Sequence, residues 1–186
     1  MRLTLTVRVL ACALMTLLLV LPRGVRGDHG HDEYAVKAAF IYNFAALVMW
    51  PTSAFAEPGA PLSIAILGAA DFAPHTEDFL KVRKVGDRPI EVNRIASPEE
   101  ITGHHMVFVS AAENDRLARI LEVARGSQVL TIGESESFAR RGGIINFYRE
   151  GNKIRFEINR PAAEAAGLRI SSRLLRLARL VSGEGG

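Results

Sequence analysis

GIINFYREGNKIRFEIN, residues 143–159, is the stretch that decides the fold. Two strand-like runs, GIINFYRE and KIRFEIN, flank Gly151-Asn152, a pair that tolerates the positive φ of a tight hairpin turn. Successive side chains alternate across a strand, so Ile154, Phe156 and Ile158 point to one face and Lys153, Arg155 and Glu157 to the other. A hairpin with one apolar face has to lay that face on something. Three short runs upstream, LSIAILG (62–68), HMVFVS (105–110) and QVLTIG (128–133), are apolar without alternation, the pattern of strands covered on both faces. RPIEVNRI (88–95) reads as a fourth strand.

Helical segments separate these strands. EYAVKAAFIYNFAALVMW (33–50) is apolar almost all round and ends at Trp50-Pro51, because a proline disfavours helix in the residue before it. DHGHDEY (28–34) is its polar lead-in, and AEPGAP (56–61) is a loop. DFAPHTEDFLKV (71–82) reads as loop and helix, and ENDRLARILEVAR (113–125) as a helix ended by Gly126. SPEEI (97–101) opens a short turn at Ser97 with Glu100 at the capping-box spacing. SESFARR (135–141) reads as a short helix stopped by Gly142-Gly143, with Ser135 as its cap.

The chain closes with ISSRLLRLARLV (170–181), which at helical spacing gathers Leu174, Leu177, Ala178 and Val181 on one face to seal the sheet. Arg173, Arg176 and Arg179 form the opposite stripe, and Ser171 or Ser172 can cap the start. Strands alternating with helices, then a terminal hairpin, give an α/β fold: a single three-layer domain with a largely parallel sheet flanked by helices, a C-terminal β-hairpin and a terminal helix.

The first 27 residues are not part of that fold. MRLTLTVR carries two arginines, VLACALMTLLLVL (9–21) is an apolar run too short to span a bilayer comfortably, and small residues follow. That is the layout of a secretory signal peptide, cleaved near Gly27, so residues 28–186 form the mature domain. Cys12 lies at the beginning of the apolar run, whereas a lipoprotein acylation site follows it. The whole sequence holds 23 basic and 20 acidic residues, for a formal charge of +3. The leader takes four arginines and no acid, leaving 19 basic against 20 acidic side chains and a charge of −1. The case for nucleic-acid binding goes with it. Cys12 is the single cysteine, so the mature chain has no disulfide, thiol nucleophile or cysteine-ligated zinc.

Ser135 sits in a G-x-S context between a strand and a helix, as in a nucleophile elbow. Ser137 stands where that motif has its second glycine, and all five histidines precede Ser135, the wrong order for that fold. His29 and His31, flanked by Asp28 and Asp32, are a ligand set for a transition metal, but they adjoin a freshly cut terminus. His104 and His105 are strand neighbours facing opposite ways and read as structural. Gly68 ends a strand without G-x-G-x-x-G or a P-loop lysine. Asp71 and Glu77 are equally unspecific. No catalytic constellation, cofactor site or metal site emerges.

EYAVKAAFIYNFAALVMWP, RPIEVNRI, GHHMVFVS, GGIINFYREGNKIRFEIN and AGLRISSRLLRLARLV together resemble the YfiR family, from about Glu33 to Val181. The resemblance implies a periplasmic α/β domain, often dimeric, that restrains a membrane-bound diguanylate cyclase by contacting its periplasmic sensor region. It also implies an outer-membrane lipoprotein that relieves the restraint. Family members can carry a disulfide at positions matching Ala65 and His104; neither is cysteine here.

The resulting expectation is a non-enzymatic periplasmic regulator acting by protein–protein contact in cyclic di-GMP signalling and surface attachment. The contact is expected at Phe156, Ile158, Pro161, Ala163, Ala166 and Leu168, an apolar, alanine-rich stretch after the hairpin. The rival is a periplasmic small-ligand-binding module, with its pocket at the C-terminal ends of the parallel strands near Gly68, Ser110 and Gly133.

Overall fold

The computed structural model of the chain describes residues 29–183. The leader at 1–27, Cys12, Asp28 and the side chains of His29 and His31 lie outside the described residues, and so do the expectations attached to them.

The hairpin forms as read. β7 (Ile145–Glu150) and β8 (Lys153–Asn159) pair antiparallel in the register Ile145↔Ile158 and Glu150↔Lys153, with Gly151 at φ 59° in the turn. The continuous apolar runs become β2 (Leu62–Leu67), β5 (Met106–Val109) and β6 (Leu130–Gly133), each buried on both faces. β4 (Arg88–Ile95) lies parallel to β2 and is joined antiparallel to β3 (Lys84–Val85). With the C-terminal strand β10 (Arg179–Val181), the main sheet has the order β10-β8-β7-β6-β5-β2-β4-β3.

On one face lie α1 (His29–Leu47) and α2 (Phe72–Leu80). Ile41, Phe44, Ala45 and Val48 recur at helical spacing and bury against Ile64, Ile66, Met106, Phe108, Ile132, Phe147 and Phe156. Aromatic rings fill this layer: the Phe44 and Phe156 centroids are 5.1 Å apart, and those of Phe72 and Phe108 are 4.7 Å apart. On the other face α3 (Leu117–Ala124) packs Leu117 and Ile120 against Ala65, Leu67, Val107 and Val109. The three layers of an α/β domain are therefore present.

Several elements differ from the sequence reading. α1 stops at Leu47 rather than Trp50, because β1 (Val48–Met49) pairs with β9 (Arg169–Ile170). Segment 135–141 is a run of turns rather than a helix. Phe138 folds back, fully buried, between Gly133 and Gly143, where a Cβ on either glycine would overlap its ring. After the hairpin, α4 (Arg160–Ala165) is capped by Asn159, whose side chain accepts from the Ala162 amide at 3.0 Å.

The terminal helix is the largest departure. Only one turn forms, α5 (Ser172–Leu175), with the Ser171 hydroxyl accepting from the Leu174 amide at 3.3 Å. The chain then straightens into β10, parallel to β8, with Arg179 opposite Glu157. Leu174 and Val181 reach the core and Ala178 is half-buried, but Leu177 is 66% exposed and seals nothing.

Candidate functional site

Glu157 explains the C-terminal departure. It alternates with Phe156 and Ile158, so it faces away from α1, yet it is only 3% exposed. Its carboxylate accepts from Arg179 Nη2 at 2.6 Å and Nε at 3.1 Å, and from Asn146 Nδ2 at 3.2 Å. The Arg179 guanidinium also lies over the Tyr148 ring, 4.0 Å from its centroid. A buried carboxylate needs a cation, and only an extended chain at 179–181 delivers one. That charge-assisted grip, two donors on Oε2 with Asn146 on Oε1, outweighs the helical periodicity.

The same alternation corrects the expected contact patch. Phe156 and Ile158 are 4% and 0% exposed because they belong to the layer beneath α1. Ala163 and Leu168, each 1% exposed, complete that layer, and the Leu168 amide closes back on the Ala163 carbonyl at 2.9 Å. These four are core and offer no surface to a partner. Pro161 is exposed and Ala166 half-buried. Ala166 joins Ala162, Ala165, Leu121, Ala124 and Ile144 around an apolar cleft of about 220 Å³. Leu177, just before the outer strand, and Leu180, at its centre, are 66% and 57% exposed, and Arg173 and Arg176 in the preceding turn are exposed too.

A polar cluster sits at the C-terminal ends of the parallel strands. Lys37 enters from α1, nearly buried, and places Nζ 2.6 Å from both Glu33 and Glu134. Glu134 also accepts from the Ser110 hydroxyl at 3.3 Å and the Ala111 amide at 3.1 Å, while Glu33 receives Arg149 at 3.1 Å. Burial alone would pull the Lys37 ammonium down, but the hydrogen bonds and charges of Glu134 and Glu33 outweigh it and hold Lys37 above its ordinary value. A cleft of about 190 Å³ opens beside it, lined by Tyr34, Gly68, Asp71, Ser110 and Glu134. Gly68 and Ser110 thus come together as the ligand-binding reading requires. Gly133 does not, because Phe138 covers it. Lys37 and Glu134 were missed in the sequence, where the signal was a lone lysine inside the apolar run of α1.

Ser135 has no helix to cap. Its hydroxyl is buried without a hydrogen-bond partner among the described residues, and Ser137 two residues on takes φ 60°. His104 and His105 lie at the opposite ends of the strands, before β5, so neither can serve Ser135 as a base. His105 is a structural joint: Nδ1 accepts from the Ser63 amide at 3.0 Å, which leaves Nε2–H to donate to the Ala54 carbonyl at 3.0 Å. Its ring stacks on Phe55, which carries Arg88 on its other side. His104 Nδ1 meets the Ser63 hydroxyl at 2.7 Å. Burial lowers both imidazoles below their usual value. Among the described residues no group of three or more His, Cys, Asp or Glu side chains could hold a metal ion, and no helix is long and apolar enough to cross a membrane.

No curated protein matches the sequence. Among solved structures, an ABC domain in complex with L-Trp from Streptococcus pneumonia is 12% identical, with a TM-score of 0.48 over 64% of this chain and 56% of that chain. This chain thus spans little more than half of that structure's length, and at such a score the likeness carries no argument. A family model described as YfiR/HmsC-like matches residues 34–179. Members of that family are periplasmic regulators in cyclic di-GMP signalling. The matched segment runs from the second turn of α1 through α5 to the first residue of β10, and the chain belongs to the YfiR/HmsC-like family.

Proposed function

We propose that this chain is a non-enzymatic periplasmic regulator that represses an inner-membrane diguanylate cyclase by direct contact with the cyclase's periplasmic sensor region. The observation that carries this reading is the family match over residues 34–179. Relief by an outer-membrane lipoprotein and assembly as a homodimer belong to the same proposal. Of the residues first expected at the contact, Pro161 and Ala166 remain accessible for it. Deleting the gene is expected to raise cellular cyclic di-GMP and promote surface attachment, and a plasmid copy is expected to reverse both. Unchanged cyclic di-GMP in the deletion under several growth conditions overturns the reading.

The cleft beside Lys37 and Glu134 favours a second reading, a small-ligand module. Its test is a thermal-shift screen of small polar metabolites, repeated on Ser110→Ala. A stabilising metabolite whose effect disappears in that variant supports the module, and no shift with any compound removes it.

A further inference from the structure

We infer that the outer edge of β10 receives an extended, acidic and apolar segment of a partner protein as an added strand. The inference deepens the regulator reading and rests on it for the partner's identity. β10 ends the sheet: its inner edge pairs with β8, and among the described residues no strand lies beyond it. An edge strand offers a row of unpaired amides and carbonyls, and natural proteins commonly guard such edges with charge, proline or a bulge. Arg179 leaves no free charge on this one: its side chain is half-exposed, but its guanidinium is paired with Glu157. The anchor holds the strand still while the central residue of the edge, Leu180, is 57% exposed.

Charge selects the occupant. Leu177 lies beside this edge, 66% exposed, and Arg173 and Arg176 in the preceding turn are exposed and make no ion pair among the described residues. A second copy pairing strand to strand about Leu180 would run antiparallel, which sets the two basic turns at opposite ends of the seam and offers neither an acid from residues 173–183. An added strand with alternating carboxylates and apolar side chains places acids near Arg173 and Arg176 and an apolar residue against Leu180. Main-chain hydrogen bonds supply the grip, and the alternate side chains supply the selection.

The test uses the full chain and two end-capped hexapeptides, one alternating glutamate with valine and one alternating lysine with valine. Amide hydrogen exchange is followed at 179–181. The glutamate peptide is expected to slow exchange there and to bind about tenfold more tightly than the lysine peptide, with the preference fading as salt is raised. Leu180→Lys is expected to abolish the protection while β7 and β8 stay protected. If that variant fails to fold, Leu177→Asp, at a more exposed position, takes its place. No protection at 179–181, or equal protection by both peptides, overturns the proposal. So does a chain that already dimerises through β10 without peptide, or that binds phosphatidylglycerol vesicles with β10 protected. In cells, a folded Leu180→Lys protein in the deletion strain is expected to leave cyclic di-GMP as high as in the deletion. Full repression by that variant overturns the edge proposal and leaves the regulator reading standing. A deletion without effect on cyclic di-GMP overturns the regulator reading, and the peptide experiment still decides the edge.

Discussion

At one end of the sheet β3 adds two residues in an antiparallel hairpin; at the other β10 adds three, parallel to a strand that precedes it by some twenty residues. The β3 edge is short and carries an exposed lysine, Lys84, whose carbonyl accepts from the Tyr42 hydroxyl at 3.3 Å. It is held locally and guarded by charge. The β10 edge is held at long range through a buried carboxylate, and an apolar side chain stands at its centre. Both edges are thin, but only one spends its charge on holding itself in place, so only that one stays open to a visiting chain.

Arg179→Ala is expected to break this difference most deeply. It strands the Glu157 carboxylate, 3% exposed, with only Asn146 as a donor, and the cost of an uncompensated buried charge is about 3 kcal/mol. Glu157→Gln leaves a half-exposed arginine free to turn to water and is expected to cost only about 1 kcal/mol. Chemical denaturation of both variants checks the order, and a larger loss in Glu157→Gln would contradict it. At the opposite edge, Lys84→Ala is expected to stay within about 0.5 kcal/mol of the parent.

Gly133→Ala comes next. The added methyl overlaps the Phe138 ring, which is clamped between Gly133 and Gly143, and overpacking of a filled core costs about 1–3 kcal/mol. Phe138→Leu in the same chain is expected to recover part of the loss, which a purely local backbone effect would not allow.

Acid should separate the two halves of the sheet. The folded values of His104 and His105 lie below the usual 6.5 because of burial, so between the two values the unfolded chain binds more protons. Their contribution is therefore present above the unfolded value and lost as pH falls through the folded one. Moving from about pH 7.5 to about pH 5.5 is expected to lower the denaturation midpoint and speed exchange around Ala54 and Ser63 before it reaches β10. The loss is expected to shrink in His105→Gln. Equal loosening at both edges would contradict this.

The smallest effect is expected at Ser135. Among the described residues its hydroxyl caps nothing and bonds nothing, so Ser135→Ala should change stability by less than about 0.5 kcal/mol in either direction. A loss of about 1 kcal/mol would restore the N-cap reading.

What was legible in the sequence was periodic. The alternation of 153–158 and the unbroken apolar runs of β2, β5 and β6 each fit one local geometry, and the parallel sheet followed from their order. What was illegible depended on partners far along the chain. Leu174, Leu177, Ala178 and Val181 fit a helix, and nothing in residues 170–181 reveals that Glu157 will claim Arg179. Phe156 and Ile158 were read correctly as one apolar face, but periodicity cannot say whether a helix or a partner covers it; α1 does. Lys37 and Glu134 are 97 residues apart, and only the fold brings them together.

The small β1–β9 pairing has a consequence for how the chain comes into being. Val48 pairs with Ile170, and the Ser171 amide donates to the Leu47 carbonyl at 3.0 Å. Phe44 in the first helix packs on Phe156 in the eighth strand. An emerging chain can form β2, α2 and β4 early and lay part of its first helix on them, but that helix is not fully covered until the residues after Ile145 have been made. Loop closure over most of the length then comes last, which makes folding slow and late. The core of this design is completed only when its final strands have been made.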